Sequence, residues 1–149
     1  MALLFSEGEK TLELDVEDYE FPEKVPKDES DLDPNWLTLR ITWTCGGERS
    51  TYFDSCLLAE ELKGLAKDLE GVLAGRESGI LPDFLEPYLR FSLTQVGELY
   101  ALQVRFVYDT TGGHWKTVCI SQGMDRRALE DLVREVRRLS ERFPVRSGE

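Results

Sequence analysis

The ten residues from Trp36 to Cys45 alternate between apolar and polar side chains, and this alternation constrains the fold more than any other part of the sequence. A period of two is typical of a strand that buries one face and exposes the other. Gly46 and Gly47 follow at once, and glycine readily adopts the positive φ angles of a two-residue hairpin turn. The sequence therefore predicts an antiparallel hairpin whose second strand covers Glu48–Phe53.

Other stretches with the same period predict further strands that each bury one face. The first begins at Thr11, and Tyr19 and Phe21 break its parity, so we expect it to end or bulge near Asp18. The remaining predicted strands cover Tyr88–Gln95, Leu99–Tyr108 and His114–Ser121.

Two amphipathic helices are predicted from apolar residues that recur every three or four positions. The first has candidate N-cap oxygens at Asp54 and Ser55 and a glycine stop at Gly75. The second has Asp125 as its candidate N-cap and ends before Pro144. The two apolar stripes consist of Leu58, Leu62, Leu65, Leu69 and Val72, then Leu129, Leu132, Val133, Val136, Leu139 and Phe143.

Runs of adjacent strands interrupted by two helices predict an α+β fold. We expect a two-layer sandwich, with a mainly antiparallel sheet of about six or seven strands and two long helices on one face. A length of 149 residues fits a single domain over residues 1–149. The other face of the sheet would then be wet and carry Glu13, Asp15, Glu17, Arg40, Arg90, Gln103 and Arg105. For its three acids we expect cross-strand pairing with the arginines, and a partner surface is the alternative.

Negative charge is concentrated near the start of the chain. The formal net charge is −11, and residues 1–35 hold twelve acidic and three basic residues, a net charge of −9. Residues 22–35, called the acidic loop below, lack periodicity and contain two internal prolines, Pro26 and Pro34, so a solvated loop is predicted. Such a charge opposes binding to nucleic acid or to anionic membranes, and we expect neither as a partner.

The sequence also indicates a reducing compartment. Cys45, Cys56 and Cys119 are odd in number and fit no zinc-ribbon or redox spacing, so we expect three free thiols. No apolar run is long enough to span a membrane, and residues 1–5 lack the features of a signal peptide. A cytoplasmic location is therefore expected.

Residues that could perform chemistry are sparse. His114 is the one histidine, and Cys119 falls on the opposite face of its strand, so a catalytic dyad is not expected. Asp31, Asp33 and Asn35 imitate the start of a calcium loop, but the glycine and glutamate that this loop needs are replaced by Trp36 and Thr42. We predict no catalytic residue, no metal site and no cofactor.

Several local strings, taken in order, resemble the small bacterial immunity proteins of the WapI type. They cover nearly the whole chain, and two positions depart from the family's pattern: Gly113-His114 precedes Trp115 where relatives tend to have proline, and Ser55 also replaces a proline. The strings are YEFP at Tyr19–Pro22, DPNWLTLRI at Asp33–Ile41, FDSCLLAEELKGLAKDLE at Phe53–Glu70, FLEPYLRFSL at Phe84–Leu93 and RFPVR at Arg142–Arg146.

The resemblance implies a non-catalytic protein that binds the C-terminal toxin domain of a contact-delivered bacterial toxin and blocks it in the producing cell. Toxins of this kind are frequently nucleases with basic clefts, which a negative surface would attract. As the partner-binding patch we predict six acids and one aromatic anchor: Glu17, Asp18, Asp28, Glu29, Asp31, Asp33 and Trp36.

Two other classes of function remain open from the sequence. An acidic adaptor or regulatory module would share the charge and the lack of catalytic residues. A carboxylate-dependent hydrolase would require a concave pocket holding two acids with shifted pKa values. The sequence does not specify the oligomeric state.

Overall fold

The computed structural model describes residues 2–147, which form eight strands and two helices. The elements follow one another as four strands and a helix, and this order then repeats. A short 3-10 turn, Asp33–Asn35, precedes the third strand. The elements are β1 Leu3–Glu7, β2 Lys10–Tyr19, β3 Trp36–Cys45, β4 Glu48–Leu58, α1 Ala59–Leu73, β5 Gly79–Ile80, β6 Leu89–Val96, β7 Leu99–Asp109, β8 Lys116–Met124 and α2 Arg126–Arg142.

The α+β class is confirmed, but the prediction of one sheet with six or seven strands is wrong. The described strands form two antiparallel sheets of four, in the orders β1-β2-β3-β4 (sheet 1) and β5-β6-β7-β8 (sheet 2). Two strands had no clear signal in the sequence. β1 has five residues and β5 has two, both too short for a readable alternation.

The two sheets meet where the edge of β1 lies beside the edge of β8, and side chains replace a backbone ladder there. The Ser6 N–H donates to Oε1 of Gln122 at 2.8 Å, and the Ser121 N–H donates to Oε1 of Glu7 at 2.9 Å. One backbone N–H on each edge is therefore satisfied by a side chain of the other sheet.

One continuous core joins the inner faces of both sheets to the apolar stripes of both helices. Phe5 of sheet 1 packs edge-on against Phe91 of sheet 2, with ring centroids 5.8 Å apart. The helices contact each other, and the Arg137 guanidinium of α2 binds the Glu70 carboxylate of α1 through Nε at 2.8 Å. Leu69, at the middle of this arrangement, is completely buried.

Local predictions from the sequence mostly hold. Gly46 and Gly47 have φ angles of 58° and 87°, as the predicted hairpin requires. The register of β2 shifts between Val16 and Asp18, which confirms the predicted bulge. Asp125 caps α2 by accepting the Ala128 N–H at 2.8 Å.

The predicted start of the first helix is wrong. Asp54 and Ser55 belong to β4, which continues to Leu58 after a register shift against β3. Its last three residues are buried, and their place in the sheet outweighs the capping signal. The cap comes from inside α1, because Oε1 of Glu61 accepts the Leu58 N–H at 3.0 Å.

A leucine-to-alanine pair tests the core. Leu69→Ala removes a fully buried side chain and should lower the free energy of unfolding by about 2–5 kcal/mol. Leu4→Ala is the matched control, because Leu4 is 62% exposed, and it should cost less than about 0.5 kcal/mol. Urea unfolding followed by circular dichroism measures both, and equal losses would contradict this description of the core.

Candidate partner-binding site

The acidic loop is shaped by its own carboxylates. Oδ1 of Asp28 accepts both the backbone N–H and the hydroxyl of Ser30, at 2.9 and 2.5 Å. Oδ2 of Asp31 accepts the Lys27 N–H at 3.1 Å, and Asp33 pairs with Lys24 at 3.2 Å. The bonds from Ser30 favour the ionised form of Asp28 and lower its pKa. These acids therefore fix a loop conformation while their charge stays in water.

Arg146, near the end of the chain, anchors the acidic loop at both of its ends. Its guanidinium donates to the carbonyl of Pro22 at 2.7 Å, to that of Phe21 at 2.9 Å and, through Nε, to that of Pro34 at 2.8 Å. The side chain is half-buried and lies over the Tyr19 ring, 3.9 Å from its centroid. One cation therefore satisfies three backbone acceptors of a segment without regular secondary structure.

A buried asparagine completes this anchor. The Arg146 N–H donates to Oδ1 of Asn35 at 2.7 Å, and Nδ2 of Asn35 donates to the Arg146 carbonyl at 3.0 Å. The Tyr19 hydroxyl donates to the Pro144 carbonyl at 2.5 Å, and its ring packs edge-on against Phe143. Three of the five strings quoted above, YEFP, DPNWLTLRI and RFPVR, therefore meet at this point of the fold.

A cleft of about 410 Å³ lies between the acidic loop and the C-terminal segment. Three of the predicted patch residues line it, Asp28, Glu29 and Asp31, and Glu60 from the start of α1 adds a fourth acid. Arg146 and Lys27 are the basic residues of the lining, and Arg146 is already engaged with backbone carbonyls. The cleft is therefore negative, with one exposed cation at its wall.

The other predicted patch residues lie outside this lining. Glu17 binds Nη1 of Arg40 at 2.8 Å on the outer face of sheet 1, and Asp18 accepts the N–H of Tyr19 at 2.7 Å. Trp36 is half-buried at the start of β3, where its carbonyl accepts the Glu20 N–H at 2.8 Å. The structure thus groups three of the seven around one cleft, keeps Asp33 in the acidic loop beside Lys24, and places Glu17, Asp18 and Trp36 at the adjoining strand ends.

The expected cross-strand pairing of the β2 acids with Arg40, Arg90 or Arg105 is found at Arg40. This residue binds Asp15 at 3.0 Å as well as Glu17. Arg90 and Arg105 belong to sheet 2, where they stand directly opposite each other, so the prediction that they share one sheet face with the β2 acids is wrong. The error follows from the division into two sheets, which the strand pattern does not specify.

Two carboxyl groups near α1 have raised pKa values. Burial raises the pKa of Glu61, whose two oxygens accept the Leu58 and Leu85 N–H groups at 3.0 and 2.6 Å. Burial also raises the pKa of Asp54, and the negative charges of Glu86 and Glu20 add to the effect. Glu61 is a structural residue, because its hydrogen bonds tie the start of α1 to the connection before β6.

Comparison with known proteins identifies the class. A family model described as the immunity protein WapI-like family matches residues 3–144. The chain therefore belongs to the WapI-like immunity protein family. The Arg146 anchor joins strings from both ends of the match, and only the arginine itself falls just beyond it.

Other comparisons add little. No curated protein matches the chain significantly. The crystal structure of WHY3 from Arabidopsis thaliana is similar over 96% of this chain and 88% of that chain, with 9% sequence identity and a TM-score of 0.45. None of the helices within residues 2–147 combines the length and apolar character needed to cross a bilayer.

Two charged residues of the cleft, Glu60 and Arg146, were not among the predicted patch residues. Arg146 was visible as the last residue of the RFPVR string, although nothing in the string says what it binds. Glu60 had no local signal, because its approach to the acidic loop depends on how α1 packs.

Removing the anchor should loosen the acidic loop. Arg146→Ala deletes the donors to three carbonyls, so we expect a loss of about 2–3 kcal/mol in the free energy of unfolding and faster amide hydrogen exchange across residues 20–35. Arg138→Ala removes the same charge from the exposed face of α2 and is the matched control. Unchanged exchange in the Arg146 variant would show that the loop holds its shape without the anchor.

Asp54 should make the protein less stable as the pH rises. The folded state binds the Asp54 proton more tightly than the unfolded chain does. The free energy of unfolding therefore falls as the pH rises from the ordinary carboxyl pKa to the raised pKa of Asp54, and this loss persists at neutral pH. Asp54→Asn should raise the free energy of unfolding at neutral pH and flatten that decline.

Asp28→Asn is the control of opposite sign, because the pKa of Asp28 is lowered on folding. Its carboxylate adds stability above its unfolded pKa, so this variant should lose stability at neutral pH. Urea titrations at a series of pH values measure both variants. A lower stability of Asp54→Asn at neutral pH would contradict the assignment.

Proposed function

We propose that this protein binds and neutralises the C-terminal toxin domain of a contact-delivered bacterial toxin, in the cytoplasm of the cell that makes both. The observation that carries the proposal is the match of the immunity family model over residues 3–144. The protein acts by occupying its target, so its surface chemistry matters more than any reactive group.

The acidic cleft is the surface that we propose for recognition. Asp28, Glu29, Asp31 and Glu60 line one concavity, and the two loop aspartates are fixed by hydrogen bonds to backbone N–H groups. A toxin that cleaves nucleic acid needs a basic surface for its substrate, and this array of carboxylates would occupy the same surface. We therefore propose a nuclease as the target.

Preorganisation supports this role. An acidic loop that had to be ordered on binding would lose side-chain and backbone entropy in the complex. In this protein the Arg146 anchor holds both ends of the loop before any partner arrives. The exposed carboxylates attract a basic protein at long range, and this attraction increases the rate of encounter.

Neutralising the cleft tests the proposal. The triple variant Asp28→Asn, Glu29→Gln, Asp31→Asn keeps amide oxygens in place of the carboxylates. We expect it to bind the toxin domain encoded beside its gene with an association rate about tenfold lower at low ionic strength, and with a weaker dependence of that rate on salt. Stopped-flow fluorescence or surface plasmon resonance across a salt series measures both quantities.

The matched control carries the same change in charge elsewhere. Glu9→Gln, Glu98→Gln and Glu141→Gln remove three exposed carboxylates from two hairpin turns and from α2. If the control lowers the association rate as much as the cleft variant does, net charge rather than the cleft steers association. If neither changes the rate, the cleft is not the recognition surface.

A further inference from the structure

The β4 strand leaves one edge of sheet 1 open. Its register places Cys45 opposite Glu48 across a two-residue turn, so this closing pair is hydrogen-bonded and the pairs alternate from there. The backbone N–H and C=O groups of Arg49, Thr51 and Phe53 consequently point away from β3. Within residues 2–147, none of these groups has a hydrogen-bond partner.

The other edges of the described sheets are covered in part, and the outer edge of β6 from Leu89 to Ser92 has no paired strand within residues 2–147. β1 and β8 satisfy each other through Gln122 and Glu7, and the two residues of β5 pair with part of β6. Proteins commonly protect an exposed edge with lysine, proline or a bulge. Residues 48–53 contain neither lysine nor proline, their two charged residues, Glu48 and Arg49, lie next to the turn, and the register shift of β4 comes after them.

The open edge packs on sheet 2 through its inner face and carries one exposed aromatic side chain, Phe53, on its outer face beside Arg49 and Thr51. The Tyr52 ring stacks on Tyr108 at 5.2 Å and packs against Phe106 at 6.0 Å, which fixes the strand onto sheet 2. The neighbouring Phe53 points to the opposite face and is 64% exposed. A strand that pairs here would therefore meet a preformed ladder with an aromatic side chain beside it.

Unbalanced negative charge lies at one end of this edge. Asp54 follows Phe53, and the charges of Glu86 and Glu20 act on its carboxyl group. None of these three acids forms an ion pair within the described part of the chain. A cation brought by a partner would relieve this repulsion.

We propose that the open edge of β4 pairs with an extended segment of the toxin domain, which adds a fifth strand to sheet 1. The segment places an apolar side chain against Phe53 and a basic side chain toward Asp54, Glu20 and Glu86. This inference rests on the proposed function and deepens it, since the acidic cleft accelerates encounter whereas main-chain hydrogen bonds at β4 hold the complex.

A second copy of the chain fits this edge less well. Two β4 strands paired antiparallel about Thr51 would place Glu48 of each copy opposite Asp54 of the other, and each copy carries a net charge of −11. A basic segment avoids both sources of repulsion.

A proline variant tests the edge without disturbing the ladder to β3. Thr51→Pro removes one outward N–H and places the proline ring where the partner strand would lie, whereas Thr51→Val keeps the N–H. We expect Thr51→Pro to weaken binding of the neighbouring-gene toxin domain by about tenfold or more and Thr51→Val by less than about twofold. Titration calorimetry measures the affinities, and circular dichroism checks that both variants are folded.

Hydrogen exchange on the unaltered protein provides the second measurement, which decides the matter if the proline variant does not fold. The amides of Arg49, Thr51 and Phe53 should exchange fast in the free protein and slowly in the complex. The edge inference would be overturned if the unaltered protein, Thr51→Pro and Thr51→Val all bound tightly and these amides still exchanged fast in the complex. The proposed function would then stand. Failure of the unaltered protein to bind the toxin domain would overturn both. Slow exchange that depends on protein concentration without toxin would indicate self-pairing and also overturn the inference.

Discussion

The contact between the Arg146 guanidinium and the carbonyls of Phe21, Pro22 and Pro34 determines the shape of the acidic loop and of the candidate binding cleft beside it. The acidic loop has no sheet or helix to satisfy its backbone, and a high density of like charge favours an expanded chain. A single half-buried cation counters both tendencies. The cleft exists because a residue 111 positions beyond Asn35 closes the loop against the end of β3.

Much of the local structure was predictable from short-range patterns. The alternation over Trp36–Cys45 gave the bounds of β3, the glycine pair gave the hairpin, and Asp125 gave the start of α2. The start of α1 was not predictable in the same way. Asp54 and Ser55 are good capping residues in isolation, but burial of the last three residues of β4 is worth more than one cap.

The division into two sheets depends on long-range contacts that alternation does not encode. Each strand reads as half-buried whether it belongs to one sheet or two. The residues of the candidate site were likewise predictable only where local patterns reveal them. Composition located the acidic loop, and the carboxylates that shape it lie within it, but Glu60 and Arg146 reach the cleft through the packing of α1 and of the C-terminal segment. No local pattern links them, although the RFPVR string pointed to the region.

The central claim is that the protein works by binding a toxin domain. Co-expression of the chain with an active form of the neighbouring-gene toxin domain, followed by copurification, tests it most directly. Restored growth together with a stable complex of one chain and one toxin domain is the result that binding predicts. Growth restored without any complex, together with turnover of a substrate by the purified chain, would contradict it.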